Sequence, residues 1–173
     1  MAVLREAPES QALPVRLGHL EALPDLAKAA LAIAPEDNQR GSAVAFALFR
    51  LRNSKAVPAL VEIASAPNVR IRQSAVHALR NIRSRDAVAA LARALDDPDV
   101  LVRYHGAMGL AWQTDRMNPK WTLAFRPFSA DPKPLVAKWK RWWESTGESK
   151  YASIEDVIRR SRIAGSMSGP DLH

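Results

Sequence analysis

The sequence repeats itself with a period of 31 residues through its middle. Residues 69–72 (VRIR) return as residues 100–103 (VLVR), and Ala78-Leu79 returns as Gly109-Leu110. A fixed period of about 20–50 residues is typical of stacked repeat proteins, because one such unit cannot bury its own apolar face. The period therefore predicts that successive units of this chain pack on one another in a solenoid, and it constrains the fold more than any other feature.

Helical hairpins separated by proline-marked turns fit the rest of the repeat region. Apolar residues recur at helical spacing in segments near residues 20–34, 38–52, 55–66, 68–97 and 100–113. Pro24 and Pro58 stand near the start of the second helix of their hairpins, where a missing N–H costs nothing. The sequence predicts a flexible lead-in at residues 1–12 and about four hairpins over residues 13–113. We expect Asp86 to be the N-cap of the second helix in the third hairpin.

The period breaks after Gln113. About 20 residues without a regular pattern precede a helix at residues 134–146 (PLVAKWKRWWEST), and all five tryptophans of the chain lie between positions 112 and 143. Another helix is expected after Ser153, with Asp156 completing a capping box. Residues 114–164 are therefore predicted to form an irregular insert and C-terminal capping helices, and residues 165–173 a flexible tail.

The motif D-P-D-x-x-V-R-x-x-(A/G)-x-x-(A/G)-L is present at residues 97–110 and, with Pro67-Asn68 at its start, at residues 67–79. Residues 35–48 form a weaker copy, in which Arg40 takes the place of the arginine if one residue is inserted. This pattern resembles HEAT repeats, in particular the short bacterial variety related to phycobilin lyases. The resemblance covers roughly residues 20–145, and the tryptophan-rich ending is similar to that of some bacterial HEAT-repeat proteins. It implies an all-α, right-handed α-solenoid whose second helices line the concave side.

Composition narrows the classes of function. The chain has no cysteine, which excludes disulfides, thiolate zinc sites and cysteine nucleophiles. The four histidines form no metal-ligand spacing, and no catalytic or phosphate-binding motif occurs. We therefore predict no metal, no cofactor and no enzymatic activity. The N-terminus has no signal-peptide pattern and no apolar run reaches about 18 residues, so neither a membrane span nor secretion is indicated. A cytoplasmic location is expected, unless a leader was cleaved earlier.

The net charge of +7 is concentrated in residues 116–173, which hold 11 basic and 6 acidic side chains. A basic surface favours nucleic acid, anionic lipid or an acidic protein as partner. The alternative is a solvated face that binds nothing.

Several residues are expected to hold the stack together. The recurring Arg72 and Arg103 are predicted to pair with carboxylates of an adjacent repeat, with Asp86 and Asp115 as the candidates, because a guanidinium can meet a carboxylate with two hydrogen bonds. Contact with a ligand is the alternative role for these arginines. Glycines at 106 and 109 predict a close helix crossing, and the expected packing neighbours are Tyr104 and Trp112. The C-terminal cap is predicted to be built from Trp139, Trp142 and Trp143.

The predicted function is a non-enzymatic scaffold that binds another protein, with contacts on the second helices. An alternative interpretation of the tryptophans is an aromatic pocket edged by basic side chains. The rival function is binding of a nucleic-acid backbone through the basic C-terminal third. This rival includes a role like that of HEAT-like alkylpurine DNA glycosylases, which the family resemblance implies for Trp112 and Asp115. A phycobilin-lyase-like role has no residue to support it. The candidate binding residues from these interpretations are Glu62, Arg93, Trp112, Arg126, Lys138, Lys140 and Arg141.

Overall fold

The computed structural model describes residues 12, 15, 19–49 and 51–151, and every regular element among them is helical. The α-helices are α1 Leu23–Ala32, α2 Asn38–Leu48, α3 Val57–Ile63, α4 Val69–Asn81, α5 Arg85–Arg93, α6 Val100–Gln113, α7 Phe125–Ala130, α8 Lys133–Trp142 and α9 Glu148–Tyr151. Short 3₁₀ helices occupy Leu20–Ala22, Ser54–Ala56 and Ala94–Asp96, and a π-helical turn occupies Trp143–Gly147. The predicted helix after Ser153 and the tail lie outside the described residues, as does most of the lead-in.

These helices stack as hairpins around one continuous apolar core. The first helices α2, α4 and α6 pack side by side, and the second helices α1, α3 and α5 form a parallel row behind them. Helix α8 completes the hairpin that α6 begins, after the insert that contains α7. The predicted all-α solenoid of about four HEAT-like hairpins is therefore confirmed. Within the part of the chain that the structure describes, no helix is both long enough and apolar enough to cross a membrane.

The three first helices are in register with the 31-residue period. They begin after the N-caps Asp37, Asn68 and Asp99, whose side chains accept backbone N–H groups of the first turn. No residue is inserted in the first of these copies, so that prediction was wrong. Gly41, and not Arg40, stands where Arg72 and Arg103 stand in the next two hairpins.

The second helices begin much as the proline positions predict. Pro24 and Pro58 each lie in the first turn of their helix. The N-cap of α5, however, is Ser84, whose backbone is extended at φ −156° and ψ 137°, while Asp86 lies inside the first turn. The predicted cap is therefore wrong by two residues, because the chain enters the helix at Arg85.

Close packing between α5 and α6 depends on two glycines. A Cβ added to Gly109 would lie 2.6 Å from Cδ2 of Leu91, and one added to Gly106 would lie 2.9 Å from the Leu91 carbonyl oxygen. The predicted close crossing is present, but its packing neighbour is Leu91. Of the two aromatic residues expected there, Tyr104 packs against Phe128 of α7, whereas Trp112 is 46% exposed.

The end of the stack is closed by the tryptophan-rich cap. Trp139 is fully buried, and Trp142 and Trp143 are nearly so. The indole N–H of Trp139 donates to the Trp121 carbonyl at 3.2 Å, which ties the insert to α8. The insert also contains α7, which the sequence pattern did not predict and which contributes the fully buried Phe128.

Candidate interaction surface

The recurring arginines hold the connectors between hairpins. The guanidinium of Arg72 donates to both carboxylate oxygens of Asp97, at 2.8 and 3.3 Å, and to the carbonyls of Ala66 and Pro67. Arg103 donates to the carbonyls of Asp97 and Pro98, the equivalent positions one period later. The two arginines thus satisfy backbone carbonyls where a helix pair ends and the next one begins. The predicted partners Asp86 and Asp115 were wrong, because Arg72 donates to the carboxylate of Asp97.

Asn68 satisfies backbone carbonyls in the connector that precedes Gly41, as the arginines do in the later connectors. Its side-chain amide nitrogen donates to the carbonyls of Ala34, Pro35 and Asp37, at 3.3, 3.0 and 3.2 Å. A Cβ on Gly41 would lie 2.5 Å from the Asn68 side-chain oxygen. The glycine therefore makes room for an amide that reaches back from the next hairpin, and no arginine is needed.

The second-helix candidates lie at several separate places. Glu62 is exposed on α3, and Arg93 is exposed at the end of α5. Arg93 and Lys140 line one cavity of about 240 Å³ with Asp96. Lys140, a candidate of the rival nucleic-acid interpretation, forms an ion pair with Asp96 across 44 positions of sequence, next to the 3₁₀ turn that follows α5.

The remaining basic candidates point in different directions around the cap. Lys138 lies 4.5 Å from the Trp121 ring centre and donates to the Lys120 carbonyl, on the other side of the buried Trp139 from Lys140. Because successive residues of a helix turn by about 100°, Arg141 lies about 60° around α8 from Lys138 and about 100° from Lys140, and it is exposed. Arg126 is exposed on α7. Lys138 and Arg141 therefore share one side of α8, Lys140 lies on another side, and Arg126 belongs to a different helix.

A row of aromatic rings crosses the first helices, and sequence reasoning missed it. It joins Phe49 to His77 with ring centres 4.4 Å apart, His77 to His105 at 5.0 Å, His105 to Tyr104 at 5.8 Å and Tyr104 to Phe125 at 5.1 Å. We call these five residues the aromatic strip. Phe49 and Phe125 are 54% and 40% exposed, and the three residues between them are half-buried.

Arginines border the aromatic strip. The Arg80 guanidinium lies 5.7 Å from the Tyr104 ring centre and 3.4 Å from Nδ1 of His105. Arg83 lies 5.4 Å from the Trp112 ring centre and pairs with Asp115 at 2.6 Å. Arg52 is exposed and close enough to His77 to affect its pKa. Arg52 and Arg83 are 31 residues apart, which is one repeat period. Comparing polar residues one period apart, as was done for the apolar ones, could have revealed this surface.

Both histidines of the strip are neutral at physiological pH. Burial, followed by the charge of Arg80 and then that of Arg52, lowers the pKa of His77. Burial, followed by His77 and Arg80, lowers the pKa of His105 to about 3, although Asp99 acts in the opposite direction. A neutral imidazole presents a mainly apolar ring face, so the strip acts as an aromatic surface and not as a cationic one.

The lowered pKa values of His105 and His77 predict that the folded protein loses stability as the pH falls. Below about pH 6.5 the unfolded chain binds a proton that the buried His105 does not. The free energy of unfolding therefore falls as the pH drops from about 6.5 towards 3, by at most about 1.4 kcal/mol per pH unit for His105, and His77 acts in the same direction. Urea denaturation at pH 7 and pH 5 should show this loss. We expect His77→Phe/His105→Phe to reduce the pH dependence, while Tyr104→Phe leaves it unchanged. Equal pH dependence of stability in the wild-type protein, the double histidine variant and Tyr104→Phe would contradict the prediction.

The described residues hold no group of histidine and carboxylate side chains arranged for a metal ion. Comparison with curated proteins and with solved structures gives no match. The sequence model of HEAT repeats matches residues 23–111, which is slightly more than half of the chain and spans α1 to nearly the end of α6. With the stacked hairpins, the common register and the arginine-held connectors, this match assigns the chain to the HEAT-repeat family.

Proposed function

We propose that this HEAT-repeat chain is a non-enzymatic scaffold that binds another protein through the first-helix face. The observation that supports this most is the aromatic strip, with exposed Phe49 and Phe125 at its ends. Trp112, seven positions after His105 and on the same side of α6, is also exposed. Aromatic residues and arginine are enriched at protein interfaces and supply most of their hot spots. Contiguous exposed apolar surface on a folded protein commonly marks such an interaction site.

The packing of the stack favours the same face. The first helices are longer than the second helices and make more extensive contacts with one another, and extensive contact of this kind is expected in the inner row of a curved stack. We infer that the first helices line the concave side, opposite to the expectation from the family resemblance. A concave surface crossed by three helices suits an extended or helical segment of a partner protein.

Nucleic-acid binding has less support. Such binding depends on several cations that follow a phosphate backbone together, whereas Lys140 lies about 160° around α8 from Lys138 and is paired with Asp96. For the glycosylase alternative, Asp115 is an exposed carboxylate already paired with Arg83. Neither arrangement gathers the candidate residues into one site.

Photo-crosslinking in an extract of the native host tests the proposal. A photoreactive phenylalanine analogue is placed at Phe49 or Trp112 on the proposed face, and at Leu31 or Arg141 on the second-helix side. We expect discrete adducts from the first two positions, sensitive to protease and resistant to nuclease, and few from the other two. Adducts confined to the second-helix positions, adducts removed by nuclease, or no adducts at all would overturn the proposal.

A further inference from the structure

We propose that the partner segment carries carboxylate side chains interleaved with apolar or aromatic ones. This inference rests on the proposed protein-binding function and specifies the chemistry of the occupant. Two features of the first-helix face support it: the apolar aromatic strip, and arginines near it. Arg80 lies against Tyr104 of the strip, Arg52 lies near His77, and Arg83 lies over the exposed Trp112.

The arginines give the face its charge complementarity. Arg52 and Arg83 are exposed at equivalent positions of successive hairpins, so their guanidinium groups recur along the stack with the repeat. The ion pair between Arg83 and Asp115 is exposed to solvent, with 76% of the Asp115 side chain accessible. Exposed ion pairs contribute little, so a partner carboxylate can displace Asp115 and accept two hydrogen bonds from the guanidinium.

The aromatic strip supplies the apolar part of the site. Because His77 and His105 are neutral, the middle of the strip does not attract a carboxylate of the partner. Carboxylates are favoured only beside the strip, where the arginines lie. Arg83 over Trp112 and Arg80 over Tyr104 are already held by ring contacts, so less side-chain freedom is lost when they bind. The face therefore selects apolar groups along its centre and acidic groups beside them.

A displayed library of random peptides tests this chemistry directly. Peptides of about 12 residues are long enough, at about 3.3 Å per residue, to cross three helices spaced about 8–10 Å apart. Selection is carried out on the full chain and on three variants: Phe49→Ser/Trp112→Ser, Arg52→Gln/Arg83→Gln, and Lys28→Gln/Lys133→Gln. The last pair removes the same charge from exposed positions on α1 and α8. Circular dichroism confirms that each variant is folded.

We expect wild-type selection to enrich peptides that combine Asp or Glu with aromatic or leucine residues. Their affinity should fall at least about tenfold in the aromatic variant and in the arginine variant, and stay within about twofold in the lysine control, as expected for hot-spot residues and remote charges respectively. Enriched peptides that need Phe49 and Trp112 but are neutral or basic would overturn this inference and leave the protein-binding function standing. An absence of peptides that depend on the face, or tight binding of a labelled oligothymidine lost in the arginine variant, would overturn both.

Discussion

Replacing Asn68 with alanine is expected to lower the free energy of unfolding by about 2–4 kcal/mol. Asn68 is fully buried, and its single side chain serves two helices. Its oxygen accepts the Arg70 N–H and caps α4, while its nitrogen donates to three carbonyls of the preceding connector. Alanine removes the cap, at a cost of about 1 kcal/mol, and removes the amide donor from part-buried carbonyls, at a cost of about 1–3 kcal/mol. The Pro35 carbonyl is affected most, because those of Ala34 and Asp37 still accept the backbone N–H groups of Asp37 and Gly41.

Two further variants separate these contributions. Asn53→Ala removes a cap of the same chemistry, in which the exposed Asn53 side chain accepts the Lys55 N–H, and should cost about 1 kcal/mol or less. Asn68→Asp keeps the capping oxygen but loses the amide donors, so it should be nearly as destabilising as Asn68→Ala. Urea denaturation followed by circular dichroism measures all three. If Asn68→Ala were no more destabilising than Asn53→Ala, the bridge between hairpins would not contribute as described.

The fold could be predicted from the sequence because a repeat period reports packing directly. An apolar or small residue that recurs 31 positions later makes the equivalent contact in the next unit. The small residues at Ala78 and Gly109 could therefore be matched from the sequence alone. Gly41 shows the limit of such reasoning. A glycine in the arginine's position looked like a weakened copy with an inserted residue, because only the structure shows that Asn68 fills the space from the next hairpin.

The interaction surface was harder to predict than the core. The sequence-based prediction relied on charge density and on tryptophan. The structure pairs Lys140 with Asp96, 44 residues away, and buries Trp139 fully. The aromatic strip instead joins the residue that caps the end of α2 to residues of α4, α6 and α7. Pairs such as His77 and His105, 28 residues apart, do not follow the repeat period, so nothing in the linear pattern marks them as neighbours.

Replacing Arg72 with glutamine is expected to cost about 3 kcal/mol of stability. Only 15% of the Arg72 side chain and 10% of the Asp97 side chain are accessible. Without the guanidinium, the Asp97 carboxylate stays buried and loses its charged partner, and the carbonyls of Ala66 and Pro67 lose a donor. Breaking one side of a buried pair is costly for this reason, even though an intact pair contributes little net stability.

Arg83→Gln is the matched control, because it breaks an ion pair of the same residue types at the surface. The Arg83 and Asp115 side chains are 60% and 76% accessible, so water solvates the carboxylate that remains, and the expected cost is below about 1 kcal/mol. Equilibrium urea denaturation of both variants measures the difference, and hydrogen exchange shows where it acts. The loss in Arg72→Gln should appear first as faster exchange at the junction of α5 and α6, since Arg72 joins the third hairpin to the connector that begins the fourth. Equal destabilisation by the two substitutions would mean that burial of the Arg72 pair does not decide its energetic role.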